Sequence, residues 1–298
     1  MTIARSNARG VAAMLFATAS FVICDSFLKL ATATLPPFEV LFLRGIAATV
    51  CCGGLVLALG QGRFIGQTFN RIVVLRGSLE AAATLCYIIA LANMPIADAV
   101  AIIQTAPLIL ILLLAVIWRE KVGWLRIALV LGGFAGALLV AQPDTSGLSP
   151  AALLAFICAF GVAWRDLLSR GIPAAIPALV VTFSTVLNLT IVSGVLTFAT
   201  EDVVMPDATI ALYMLGAGIF VTLGHFGIFM AYRLGAASAV APFFYSFAVW
   251  AVLAGLIVFR ELPNPLALLG IGAIVASGLG VVLLDRRKTR ALAADTPA

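Results

Sequence analysis

The chain is poor in charge. Its 18 basic and 13 acidic side chains make up 10% of 298 residues, where soluble domains carry about a quarter. With 63% of residues hydrophobic, too few polar groups remain to cover a water-soluble globule. The same balance excludes intrinsic disorder, and continuous apolar runs exclude an outer-membrane barrel, whose strands alternate with a period of two. Histidine occurs once, as His225, and the five cysteines (Cys24, Cys51, Cys52, Cys86, Cys158) lie inside apolar runs without C-x-x-C spacing. A zinc cluster is therefore not indicated, no metal or cofactor is expected, and the cysteines read as small buried hydrophobes. No G-x-x-x-x-G-K-[ST] loop is present to cradle a nucleotide's phosphates, which excludes an ATP-driven pump. The absence of G-x-S-x-G leaves an intramembrane enzyme as a weak alternative, in which Ser184 or Ser246 would have to meet His225.

What is present is enough apolar sequence for about ten spans of roughly 20 residues each. Runs bounded by glycine, proline and charge predict helices over 10–31, 37–59, 72–93, 96–118, 122–141, 149–170, 175–199, 208–232, 236–259 and 264–284. The first run ends in the small-x-small pattern Ala31-Thr32-Ala33 of a signal-peptidase site. Its length, and the presence of Asp25 and Lys29 within it, fit a bundle helix better than a cleaved leader.

Orientation follows from the basic residues. With the N-terminus inside, Arg5, Arg9, Arg63, Arg71, Arg76, Arg119, Lys121, Arg126, Arg165, Arg170, Arg233, Arg286, Arg287, Lys288 and Arg290 all fall at cytoplasmic ends. Lys29, Arg44, Arg260 and the acidic loop with Glu201, Asp202 and Asp207 fall outside. The positive-inside rule thus predicts an inner-membrane protein with both termini cytoplasmic. The four C-terminal basics are placed to touch anionic lipid, and no basic soluble face exists for nucleic acid.

The halves resemble each other. At a spacing of 139, Ala12, Ala13, Leu15, Phe21 and Leu28 match Ala151, Ala152, Leu154, Phe160 and Leu167; at 141, Trp118-Arg119-Glu120 matches Phe259-Arg260-Glu261. Because each half has an odd number of spans, the repeats are inverted, as in secondary transporters that rock about a midplane site. The expected fold is all-α and polytopic, with ten transmembrane helices as two inverted five-helix repeats around a central cavity. The repeats cover 1–142 and 143–286, followed by a cytoplasmic tail at 287–298.

The order of features resembles the drug/metabolite transporter superfamily, in particular its ten-helix EamA-type exporters. The features are a charged first span, Leu35-Pro36-Pro37 and Phe42-Leu43-Arg44 at the second, and Arg-Glu after the fourth and ninth. The resemblance implies export of small metabolites, often amino acids, through a central cavity, with the fifth and tenth spans structural. Uptake of a vitamin or nucleoside-like metabolite is the alternative.

Polar groups within the hydrocarbon are candidates for the site, since each needs a partner or water. Asp25 and Lys29, and Arg76 and Glu80, stand four apart and can pair along one helix. Arg165 and Asp166 sit near the inner end of the sixth span, and Arg44 lies two turns into the second with Glu39 nearby. A zwitterion would use Asp25 or Glu80 for its amine and Arg44 or Arg76 for its carboxylate, and Asp25 or Glu80 could carry a coupling proton. Gln104 and Tyr245 are 141 apart, beside the helix-bending prolines Pro107 and Pro242, and are expected to flank a central site. His225 aligns with Thr84, while Tyr87, Trp164 and Tyr232 offer aromatic surface. Gly132, Gly136, Gly272 and Gly280 suit close helix packing, here assigned within a monomer.

Overall fold

A computed structural model describes residues 3–117, 123–142, 148–169, 171–173, 175–235 and 237–294. Among these residues all regular secondary structure is helical, and ten helices are long and apolar enough to cross a membrane. They are α1 (Ile3–Ala31), α2 (Pro37–Ala58), α3 (Arg71–Asn93), α4 (Ile96–Ile117), α5 (Trp124–Ala141), α6 (Pro150–Ser169), α7 (Ala178–Thr200), α8 (Ala208–Leu234), α9 (Ala241–Phe259) and α10 (Pro265–Ala294). The Trp118-Arg119-Glu120 half of the repeat motif and the junction at 143–147 lie outside the described residues. The expected tail continues α10 as helix through Ala294.

Local chemistry explains the boundaries. Pro37, Pro150 and Pro265 open their helices, where no backbone donor is needed, and Pro95 and Pro177 immediately precede theirs. Asn70 Oδ1 accepts from Ile72 N at 3.1 Å, and Asp207 Oδ1 from Ile210 N at 2.7 Å, each satisfying a free donor of a first turn.

The two proline-bearing spans are broken differently. In α4, helix stops at Ile103 and resumes at Ala106, because Pro107 cannot donate back to the preceding turn. Thr105 Oγ1 donates to Ile102 O at 2.6 Å across the break. In α9, Pro242 sits in an opening 3-10 turn, Ala241–Tyr245, and the span ends in a π turn, Gly255–Phe259, before left-handed Arg260.

Packing joins the halves of the chain. α1 lies on α8, α3 on α6, α2 on α7, and α5 on α10. At the last pair a Cβ on Gly136 would stand 2.7 Å from Gly270 O and 2.9 Å from Ala273 Cβ, so only glycine permits this approach. Gly280 similarly faces Leu129. Gly272, by contrast, faces open space; the close contacts on α10 fall at Gly270, Gly278 and Gly280, and the small-residue spacing misplaced that one member of the seam.

Candidate functional site

A cavity of about 890 Å³ runs into the bundle from the end at which α3 and α7 begin and α6 and α8 finish. This volume falls in the roughly 300–1,000 Å³ range of small-molecule sites. Ile172, Pro173, Ile176, Ala178 and Arg233 lie toward its mouth, and Asp25, Arg44 and Tyr87 line it deeper in the bundle. Every span except α5 and α10 contributes to its wall.

Six residues named from the sequence meet here: Asp25, Arg44, Glu80, Tyr87, His225 and Tyr232. Tyr87 Oη donates to Asp25 Oδ2 at 2.7 Å, tying α3 to α1. His225 stands edge-on to Phe21, ring centroids 5.1 Å apart. Phe229, Phe244 and Phe247 extend the aromatic wall.

The other three do not line it. Gln104 caps the first piece of α4 and is buried, its Nε2 without a hydrogen-bond partner. Tyr245 is buried with its ring over Gly278 of α10. The matched offset had suggested a common face, but the break at Gln104 and the opening turn at Tyr245 direct the two side chains into packing. Trp164 stacks on half-exposed Phe160 at 6.1 Å, away from the cavity. Pro107 and Pro242 bend their spans without touching the cavity.

The charges also pair differently from their spacing along single helices. Asp25 takes the tyrosine, while Lys29 donates to Glu261 Oε2 and to Met94 O, both at 2.9 Å, and lies 4.9 Å from the Phe259 ring centroid. Glu80 forms an ion pair with Arg165, which also donates from Nε and Nη2 to Asp166 Oδ1 at 2.8 and 2.6 Å. Arg76 reaches only hydroxyls among the described residues, Ser169 Oγ and Thr185 Oγ1, each at 2.8 Å. Glu39 does not meet Arg44; its Oε2 accepts from Val204 N at 3.0 Å. Arg76, raised from the sequence as a partner for a carboxylate, also lines the cavity, and Arg165 and Arg233 join the wall although the sequence reading did not place them in the site. An arginine on an apolar helix was the available signal for the first two.

Lys29, Glu261, Met94 and Phe259 close the end of the bundle opposite the mouth. The cavity is thus polar in its depth, aromatic along its sides and accessible from one end.

Residues 8–142 match the EamA-like transporter family. The chain is a small-molecule transporter with an EamA-like transporter domain in its first half. The transporter is 29% identical over 234 residues to a riboflavin transporter of Rhizobium johnstonii, covering 78% of this chain and 76% of that protein. It is 26% identical over 286 residues to the pseudopaline exporter CntI of Pseudomonas aeruginosa, covering 94% and 96%. A third relative, the S-adenosylmethionine uptake transporter of Rickettsia prowazekii, is 24% identical over 282 residues, covering 93% and 94%. A protein of known crystal structure shares the fold at a TM-score of 0.66 and 22% identity, over 93% of this chain and 98% of that one. The transporter is an integral membrane protein and not an enzyme.

Proposed function

We propose that the transporter is a secondary carrier that moves small amphiphilic metabolites by alternating access, with residues 1–142 and 143–286 acting as inverted repeats. The observation that carries this reading is the one-sided cavity, accessible at one end and closed at the other by the Lys29–Glu261 pair. A carrier needs such a state and its mirror image.

Pseudo-symmetry supplies support for the mirror image. Exchanging each span for the one five places along turns α1–α8 packing into α6–α3, α1–α9 into α6–α4, and α2–α8 into α7–α3; all are present. The α2–α7, α4–α9 and α5–α10 contacts map onto themselves. Thr49 Oγ1 and Thr190 Oγ1, 141 positions apart, are 3.1 Å from each other. Contact between equivalent residues is expected where a pseudo-two-fold axis passes. The same offset relates Thr84 to His225, both on the cavity wall.

In this reading the termini and the mouth face the cytoplasm of an inner membrane, and a monomer holds a complete site. Asp25 is the candidate for a coupling proton, because Glu80 is committed to Arg165. Export of amino acids or related solutes fits a cavity loaded from the cytoplasm. Uptake of a vitamin-like heterocycle is a second reading, favoured by the riboflavin transporter among the relatives. Counterflow in proteoliposomes, with aromatic amino acids and riboflavin as probes, tests the carrier: saturable exchange without ATP is expected. Flux that never saturates, or none with any probe, would refute it.

A further inference from the structure

We infer that Arg44 is the residue that receives an anionic group of the transported solute, so that the cavity selects organic anions, carboxylates above all, over their neutral analogues. The inference rests on the cavity being the transport site and adds the solute's charge class.

The argument is an account of who is already paired. Glu80 is engaged by Arg165, and Asp25 accepts the Tyr87 hydroxyl. Both acids on the wall therefore have partners. Of the guanidinium groups on the wall, Arg233 stands exposed at the mouth against Phe229; inside the bundle, Arg165 has two carboxylates and Arg76 has two neutral hydroxyls. Arg44 has least: it is 7% exposed, its Nε is buried without a hydrogen-bond partner, and its Nη1 meets only Cys24 Sγ at 4.0 Å. Asp25 acts on the same stretch of wall electrostatically, yet no carboxylate forms an ion pair with Arg44 among the described residues.

A guanidinium at this depth without an ion-pair partner among the described residues is costly, because its buried Nε has no acceptor and the Cys24 thiol and the more distant Asp25 carboxylate replace only part of the hydration that burial removes. Arg44 is the eighth residue of α2, about 10 Å from the helix end on the closed side at 1.5 Å per residue. A solute entering from the mouth would bring its leading group to this point. A carboxylate there can take a fork of two parallel hydrogen bonds, the geometry for which arginine is suited. Phe21 and Phe247, 6.2 Å apart and both on the wall, leave the body of the solute an aromatic surface.

A structural arginine and a receiving arginine respond oppositely to removal. If Arg44 held helices together, its loss would lower stability; if it waits for a solute, Arg44→Met removes an uncompensated charge and raises the melting temperature of the empty protein. The probes are indole-3-acetate, indole-3-acetamide and chloride, each added to full-length detergent-purified protein and read by thermal shift and by competition binding. Wild type is expected to bind the acid about tenfold or more tightly than the amide, as a charge-assisted hydrogen bond requires. Arg44→Lys should retain a reduced preference and Arg44→Met none. Equal binding of acid and amide, binding of neither, or a destabilised Arg44→Met that keeps the preference would each overturn the inference. Chloride alone reproducing the acid's effect would overturn it too, by making Arg44 a small-ion site. Acid preference without any counterflow would refute the carrier and spare Arg44; saturable counterflow of acid and amide alike would do the reverse.

Discussion

Lys29→Met tests the closed end of the cavity. Lys29 is 12% exposed and Glu261 40%, so the pair is half open to its surroundings and is worth about 0.5–1 kcal/mol. The Met94 carbonyl adds a charged hydrogen bond of about 1.5 kcal/mol, and Phe259 a cation–π contact of about 0.5 kcal/mol. Methionine preserves much of the stem packing, and its loss of the ammonium is offset by relief from desolvation, leaving a net change of about 1–2 kcal/mol. That is roughly a five- to thirtyfold shift in population toward the state open at this end. In a cysteine-free background with Ala48→Cys on the cavity wall, an impermeant maleimide applied from the side that Lys29 faces should label the variant faster by that factor. Glu261→Gln should have the smaller effect, since Lys29 keeps the Met94 carbonyl. Unchanged labelling in Lys29→Met, or a larger effect in Glu261→Gln, would refute the assignment of this cluster as the closure.

Gly136→Leu should reduce the folded fraction in size-exclusion chromatography, because any side chain there meets Gly270 and Ala273, while the protein that does fold keeps its substrate affinity. Glu80→Gln leaves Arg165 with Asp166 alone and should destabilise the bundle by about 3 kcal/mol, measured by unfolding in mixed micelles. Gln104→Leu removes a buried amide nitrogen that has no partner; it should leave counterflow kinetics unchanged and stability equal or higher, and a several-fold loss of affinity would return Gln104 to the site.

Ten spans were legible because burial in lipid demands continuous apolar runs, and proline and charge end them sharply. Their observed bounds fall within a few residues of the expected ones for that reason. Partners were less legible. Spacing of four along a helix identifies groups that can meet, but Asp25, Lys29, Arg76 and Glu80 all turned to neighbouring helices. In a bundle the interhelical partner excludes more lipid and orders two elements at once, and sequence spacing carries no record of it. The 141-residue offset held for Thr84 and His225 as wall residues yet misled for Gln104 and Tyr245. A shift in sequence preserves helix number, whereas the local breaks at Pro107 and Pro242 differ and rotate the faces that follow. Arg44 was legible as an intramembrane cation; that it lacks an acid could be read only from the positions of Glu39 and Asp25.

Alternating access is tested most directly by paired spin-label distances at both ends of one protein, comparing wild type with Lys29→Met. One pair spans the mouth between Ser169 on α6 and Tyr232 on α8; the other spans the closed end between Thr32 beside α1 and Leu262 beside α9. The account predicts reciprocal changes, a longer closed-end distance accompanied by a shorter mouth distance. Distances that lengthen together, or a closed end that opens while the mouth stays as it is, would contradict it.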